Sequence, residues 1–179
     1  MTETLRTGLE DLITELRAYT DAGTADYAIA QLYYWTDLQL QKVLDNHRTD
    51  LKWIEMTAQE EADLAYYDYA VGYGSLEQTT GGTAIFIVQD VAGQGITAPY
   101  TVDYQRGVVT FETDTEGIYY WVTARSYDLN GAAAEIWRKK LVHYHMAVDF
   151  STDNHNVSRS QLYNHALEMA QYYEGMKNG

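Results

Sequence analysis

Near the N-terminus, apolar residues recur at Leu5, Leu9, Leu12, Leu16 and Tyr19, the three- and four-residue steps of one helical face. This spacing predicts a helix over Thr4 to Ala18, stopped by the Asp-Ala-Gly-Thr turn at Asp21 to Thr24. A short irregular segment follows. Thr36 and Gln39 then form a T-x-x-Q capping box, which opens a helix carrying Leu40, Val43, Leu44 and His47 and ending near Arg48. From Asp50 the period drops to two: Leu51, Trp53, Glu55 and Thr57 alternate with Lys52, Ile54 and Met56. Further strands are predicted at Tyr66 to Val71, Thr83 to Val91, Tyr100 to Tyr104, Val108 to Glu112 and Ile118 to Ser126, six in all. The sharpest hairpin joins TVDY to VVTFE through Gln105-Arg106-Gly107, where glycine supplies the positive φ that such a turn demands.

The C-terminal quarter, Asp128 to Met176, reads as two amphipathic helices. Asp128 is the N-cap of the first, whose stripe is Ala133, Trp137, Leu141, Tyr144 and Val148. Ser158 with Gln161 caps the second, whose inner face is Leu162, Ala166, Met169, Ala170 and Tyr173. The pattern as a whole predicts an α+β fold: N-terminal helices, a central antiparallel β-sheet insertion and two C-terminal amphipathic helices. One domain is expected over 1–179, helical over 1–49, β-rich over 50–126 and helical over 127–179.

Composition narrows the function. The chain has 26 Asp plus Glu against 12 Lys plus Arg, a formal net charge of -14, which opposes binding to DNA or to an anionic membrane. There is no Cys, so disulfides, thiolate catalysis and Cys-ligated metal sites are excluded. No apolar run is long enough to span a bilayer, and the acidic N-terminal stretch does not read as a signal peptide. The 17 Tyr and 4 Trp, against 3 Phe, suit either a Tyr-rich sheet core or surfaces that become dry on assembly.

Candidate chemistry is sparse. His143, His145, Asp149, Asp153 and His155 form the densest group of possible ligands. His145 and Asp149, four apart, share a helical face and could share a divalent ion, but His143 points elsewhere. Ser126, Ser151, Ser158 and Ser160 sit in strand-end or capping contexts without a nucleophile elbow. Glu60 and Glu61 lie in a polar run. No catalytic, cofactor or metal site is assigned. Arg138, Lys139 and Lys140 are the one basic cluster, either a solvated face balancing the surrounding acids or a contact for an acidic neighbouring subunit.

The phrases YTVDYQRGVVTFE, YDLNGAAAEIWRKKLVHYHMAVDFS and SRSQLYNHALEMAQYYE, preceded by LQKVLDNHRTDL, resemble the head-to-tail connectors of tailed bacteriophages, the adaptor or head completion proteins of the neck. The resemblance runs from about Leu5 onward and rests on the order of elements and their connecting phrases. It implies a virion structural protein without enzymatic activity or cofactor, assembled in the host cytoplasm. Such a protein forms a homo-oligomeric ring of about twelve copies beneath the portal vertex and lines the channel through which packaged DNA passes without specific binding. Its expected partners are the portal protein and another neck or tail protein, with no membrane involved. The terminal segment Gln171 to Gly179 would reach the portal, with Tyr172, Tyr173 and Met176 as anchors. The run from Ala65 to Ser126 is larger than the small hairpin of many such connectors, and would serve the next neck or tail component. The alternative from a different class is a β-rich binding module that recognises carbohydrate or protein through exposed Tyr and Trp. A third reading is a metal-dependent hydrolase at His145 and Asp149.

Overall fold

The first leucine stripe folds in two pieces, a 3-10 turn over Thr7–Leu9 that runs into helix α1 (Glu10–Thr20). The structure, a computed structural model, describes residues 4–24, 26–29, 32–60, 65–80, 84–146 and 159–177. The segment after α1, expected to be irregular, instead holds a two-stranded antiparallel hairpin of β1 (Tyr27–Ile29) and β2 (Leu32–Tyr34). Thr36 makes its predicted box. Its hydroxyl accepts from the Gln39 amide at 3.4 Å, and the Gln39 side chain accepts from the Thr36 amide at 2.9 Å, starting helix α2 (Asp37–Asn46).

The chain divides into two compact units, one of Met1–Leu5, Ile13–His47 and Asp128–Gly179, the other of Arg6–Leu12 and Arg48–Tyr127. The first, helical unit continues with α3 (Leu129–Met146) and α4 (Arg159–Gly175). Asp128 caps α3 as expected, its carboxylate accepting from the Gly131 amide at 2.9 Å. Ser158, Val148, Asp149, Asp153 and His155 lie outside the described residues, as does the side chain of His145. The two helices pack antiparallel, with Asn130 donating to the Met176 carbonyl and Arg138 paired with Glu174. Small buried residues, Ala133 and Ala134 on α3 and Ala166 and Ala170 on α4, keep the side chains at the helix faces short.

The second unit is the sheet. Strands β3 (Arg48–Glu55), β9 (Trp121–Tyr127) and β6 (Ile87–Gln89) form one antiparallel sheet in the order β3-β9-β6. Strands β4 (Thr57–Gln59), β5 (Asp68–Ala70), β8 (Val108–Phe111) and β7 (Tyr100–Asp103) form another in the order β4-β5-β8-β7. Nine strands are therefore present among the described residues where six were expected, the hairpin β1-β2 and the short β4 making the difference. Gly107 closes the β7-β8 hairpin with φ +69°, and a Cβ there would run into the Tyr73 carbonyl.

One core serves both sheets, built around Leu51, Tyr69, Phe86, Val109, Phe111 and Val122. Tyr69 stands edge-on to Phe111 and Tyr120, with ring centroids 5.3 and 5.4 Å away, and donates its hydroxyl to the Ile118 carbonyl at 2.9 Å. Part of the unusual tyrosine content is thus a sheet core, with hydroxyls satisfied inside it.

Candidate functional site

The terminal helices carry the residues picked out by sequence, and they separate into two kinds. Tyr172 and Met176 are 53% and 45% exposed, whereas Tyr173 is buried and stacks on Tyr19 of α1 at 5.6 Å. Removing Gln171 to Gly179 would therefore strip a core ring along with the two surface anchors. Further along α3 and α4, Val142, Leu162, Tyr163 and Leu167 are also exposed. Between α3 and α4 a groove of about 400 Å³ opens, with Leu141, Leu167 and Ala170 in its walls and the Arg138–Glu174 pair at its lip.

The basic triad does not behave as one cluster. Arg138 and Lys139 are exposed and paired with Glu174 and Glu135 respectively. Lys140 is 2% exposed and points the other way. Its ammonium donates to the Thr20 carbonyl at 2.9 Å and to the Asp21 carbonyl at 3.1 Å, pairs with Asp26 at 2.9 Å, and sits 5.0 Å from the centre of the Trp137 ring. The Trp137 indole donates to the Tyr19 carbonyl at 3.1 Å. The last carbonyls of a helix lack intrahelical donors and carry partial negative charge. Here α3 supplies those donors, and a cation among them, to the end of α1. The sequence signal was present: Lys140 falls three after Trp137 and four before Tyr144, on the inward stripe.

The chemistry around this junction is that of packing. The Tyr19 hydroxyl donates a hydrogen bond to the Glu15 carboxylate at 2.6 Å; that bond, burial and the charge of Glu15 push its pKa up to about 12. Burial also raises Tyr173 and Tyr144 and lowers His143, the last opposed by Asp26. Burial acts to raise Glu135, but its bonds to Lys139 and His47 prevail and hold it below the usual carboxylate range. A raised phenol favours the protonated native form, so its stabilisation is complete below pH 10 and lost as pH rises towards about 12. The stability of the wild type relative to a Tyr19→Phe variant, from chemical unfolding followed by circular dichroism, should accordingly be constant below pH 10 and shrink as pH rises towards about 12, and the difference in phenolate absorbance should place Tyr19 near pH 12. A Tyr19 that titrated with ordinary tyrosines near pH 10 would remove the Glu15 bond as its cause.

The remaining candidates are structural or lie elsewhere. Ser126 is buried in β9 and donates to the Gly74 carbonyl at 2.8 Å, and Glu60 accepts from the Tyr66 hydroxyl at 3.3 Å. Glu61, Ser151 and Ser158 lie outside the described residues, as does the side chain of Ser160. Among the described residues no group of three or more His, Asp or Glu is placed to hold a metal ion. No helix among them is long and apolar enough to cross a membrane.

Sequence reasoning missed a feature of the three-stranded sheet. β3 is bulged between Leu51 and Ile54, and Trp53 takes φ +57° there. A bulge re-aims side chains. Trp53 stacks on Trp121 with centroids 5.2 Å apart and planes within 13°, while remaining 41% exposed.

No family model, curated protein or solved structure matches the chain.

Proposed function

We propose that the chain is a structural protein of a bacteriophage neck, forming a ring that joins the portal vertex to the tail and surrounds the DNA channel. The observation that carries the reading is the set of large apolar side chains left exposed on α3 and α4, Val142, Leu162, Leu167, Tyr172 and Met176, on a protein whose net charge is -14. Large apolar side chains on an otherwise strongly acidic surface fit burial against protein, whereas the acidity fits a conduit that repels passing phosphates. The phrase-level likeness to phage connectors supplies the particular assembly.

The test is mass by light scattering on the purified protein, alone and mixed with the portal protein of the same phage, with images of any large species. Rings, or rings capping portal, are the expected result; a monomer indifferent to portal would end the neck reading. Substituting Tyr172 and Met176 together by Ala should weaken portal association about a hundredfold, the ~3 kcal/mol expected from losing two partly buried apolar side chains. Both lie on the surface, so circular dichroism should be unchanged. Undiminished association would take these residues out of the contact.

The second reading, a binding module for carbohydrate or protein, is favoured by the Trp53–Trp121 stack, an exposed aromatic platform held by a bulged backbone. A monomer that bound a glycan array, and lost that binding on Trp53→Ala, would replace the neck reading with this one.

A further inference from the structure

In β9 the side chains alternate between core and surface: Val122 and Ala124 are buried, while Trp121, Thr123 and Arg125 share the other face. Leu51 pairs with Ala124 and Ile54 with Val122, so both Lys52 and Trp53 of β3 stand opposite Thr123. Regular alternation from the buried Leu51 would turn Trp53 inward as well. The extra residue of the bulge turns it outward instead, onto Trp121, at a φ of +57° that bulky residues rarely adopt. A relay across all three strands holds it there. The Trp53 amide donates to the Thr123 hydroxyl at 3.5 Å, that hydroxyl donates to the Gln89 side chain at 2.7 Å, and the Gln89 side chain donates to the Gly93 carbonyl at 3.1 Å. Gly93 also leaves room for the indole, since a Cβ there would lie 3.2 Å from it. A large ring kept at the surface by strained, supported backbone is a mark of a ligand site.

Beside this platform opens a cleft of about 210 Å³, walled by Asp50, Lys52, Thr123 and Arg125. Thr123 supports Trp53 and Lys52 precedes it, so platform and cleft adjoin. An engineered cavity of about 150 Å³ admits benzene, so the cleft has room for one six-membered ring. Its polar groups are of both kinds. Lys52 has no ion pair among the described residues. Arg125 meets Asp50 through Nε at 3.8 Å and Glu77 through one terminal nitrogen at 3.4 Å, which leaves the other terminal nitrogen to donate. Asp50 takes Arg48 on both oxygens and keeps part of a carboxylate's roughly four acceptor sites. Donors beside an acceptor suit hydroxyl groups, which both give and take hydrogen bonds. A phosphate takes donors only, and the net charge of -14 opposes a polyanion.

We infer that this face of the sheet binds a neutral glycan whose pyranose rings carry equatorial hydroxyls. Such rings have apolar faces of C–H bonds, which pack on an indole as other apolar surfaces do. One ring lies against Trp53, and the next reaches the cleft, where its hydroxyls donate to Asp50 and accept from Lys52 and Arg125. The site deepens the binding-module reading and rests on it for the class of ligand; ring assembly plays no part in it.

Isothermal titration of the full chain with cellohexaose and chitohexaose, both neutral and β-1,4-linked, tests the site. At least one should bind with a Kd below about 1 mM. Trp53→Gly suits the φ of +57°, so it should leave far-ultraviolet circular dichroism unchanged while weakening binding about tenfold. Lys52→Gln, at an exposed position, should weaken it about threefold. No binding of either hexasaccharide at millimolar concentration, or binding of a thymidine oligonucleotide in their place, would overturn the site. Hexasaccharide binding that both variants leave intact would keep a binding module and overturn this location for it. Rings on portal with no hexasaccharide bound would keep the neck and discard the site.

Discussion

Lys140→Met is expected to lower the unfolding free energy by about 3 kcal/mol, the low end of what breaking a buried ion pair costs. Methionine keeps most of the stem over Trp137 but leaves the Thr20 and Asp21 carbonyls without the ammonium and Asp26 without its cation. The same loss at exposed neighbours is minor: Arg138→Ala and Lys139→Ala should each cost below about 1 kcal/mol, the ordinary range for surface pairs. Asp26→Asn should fall between, since that carboxylate is 31% exposed and the two carbonyls still hold the lysine. Denaturant midpoints of the four variants check the order. A Met variant as stable as Lys139→Ala would mean that the end of α1 does not depend on α3 for its donors.

That contrast also marks what can be read along the chain. Signals that act within a few residues came through: the Thr36 box, the Asp128 cap and the Gly107 turn each depend on atoms three or four positions apart, and each formed. Distant partners change the outcome elsewhere. Thr83 to Val91 reads as one long strand, yet β6 is only Ile87–Gln89, because the Thr79 hydroxyl takes the Ile85 and Phe86 amides that a longer ladder would use. The alternation from Leu51 to Thr57 looks unbroken, but the bulge at Trp53 shifts it, so that Leu51 and Met56 are both buried. The β1-β2 hairpin has no Gly, Pro, Asn or Asp between its strands and so gave no turn signal. In the helical unit, the exposure of Tyr172 and the burial of Tyr173 follow from which side of α4 meets α1, a fact of packing that two adjacent tyrosines do not reveal.

Glu77→Ala should be as damaging in the sheet unit as Lys140→Met is in the helical one, about 3 to 4 kcal/mol. The residue lies between the strands predicted at Tyr66 to Val71 and Thr83 to Val91, and it is 1% exposed. Its carboxylate accepts from the Arg6 guanidinium at 3.0 Å, the Tyr127 hydroxyl at 2.5 Å and the Arg125 guanidinium at 3.4 Å, while its amide donates to the Arg125 carbonyl at 2.9 Å. One buried carboxylate thus joins the segment before the 3-10 turn to two positions of β9. Alanine leaves both guanidiniums without this acid and removes the acceptor of the tyrosine hydroxyl. Glu77→Gln separates charge from shape: its amide oxygen still accepts one bond in the same volume, so the loss should be roughly half as large. Because the carboxylate is buried, the loss on Glu77→Ala should change little between low and high salt, unlike that of the exposed Lys139–Glu135 pair. Urea unfolding of the three proteins at two ionic strengths measures both effects. Equal losses for Gln and Ala would assign the stabilisation to the charge, and no loss for either would mean that the two arginines hold this corner of the sheet without it.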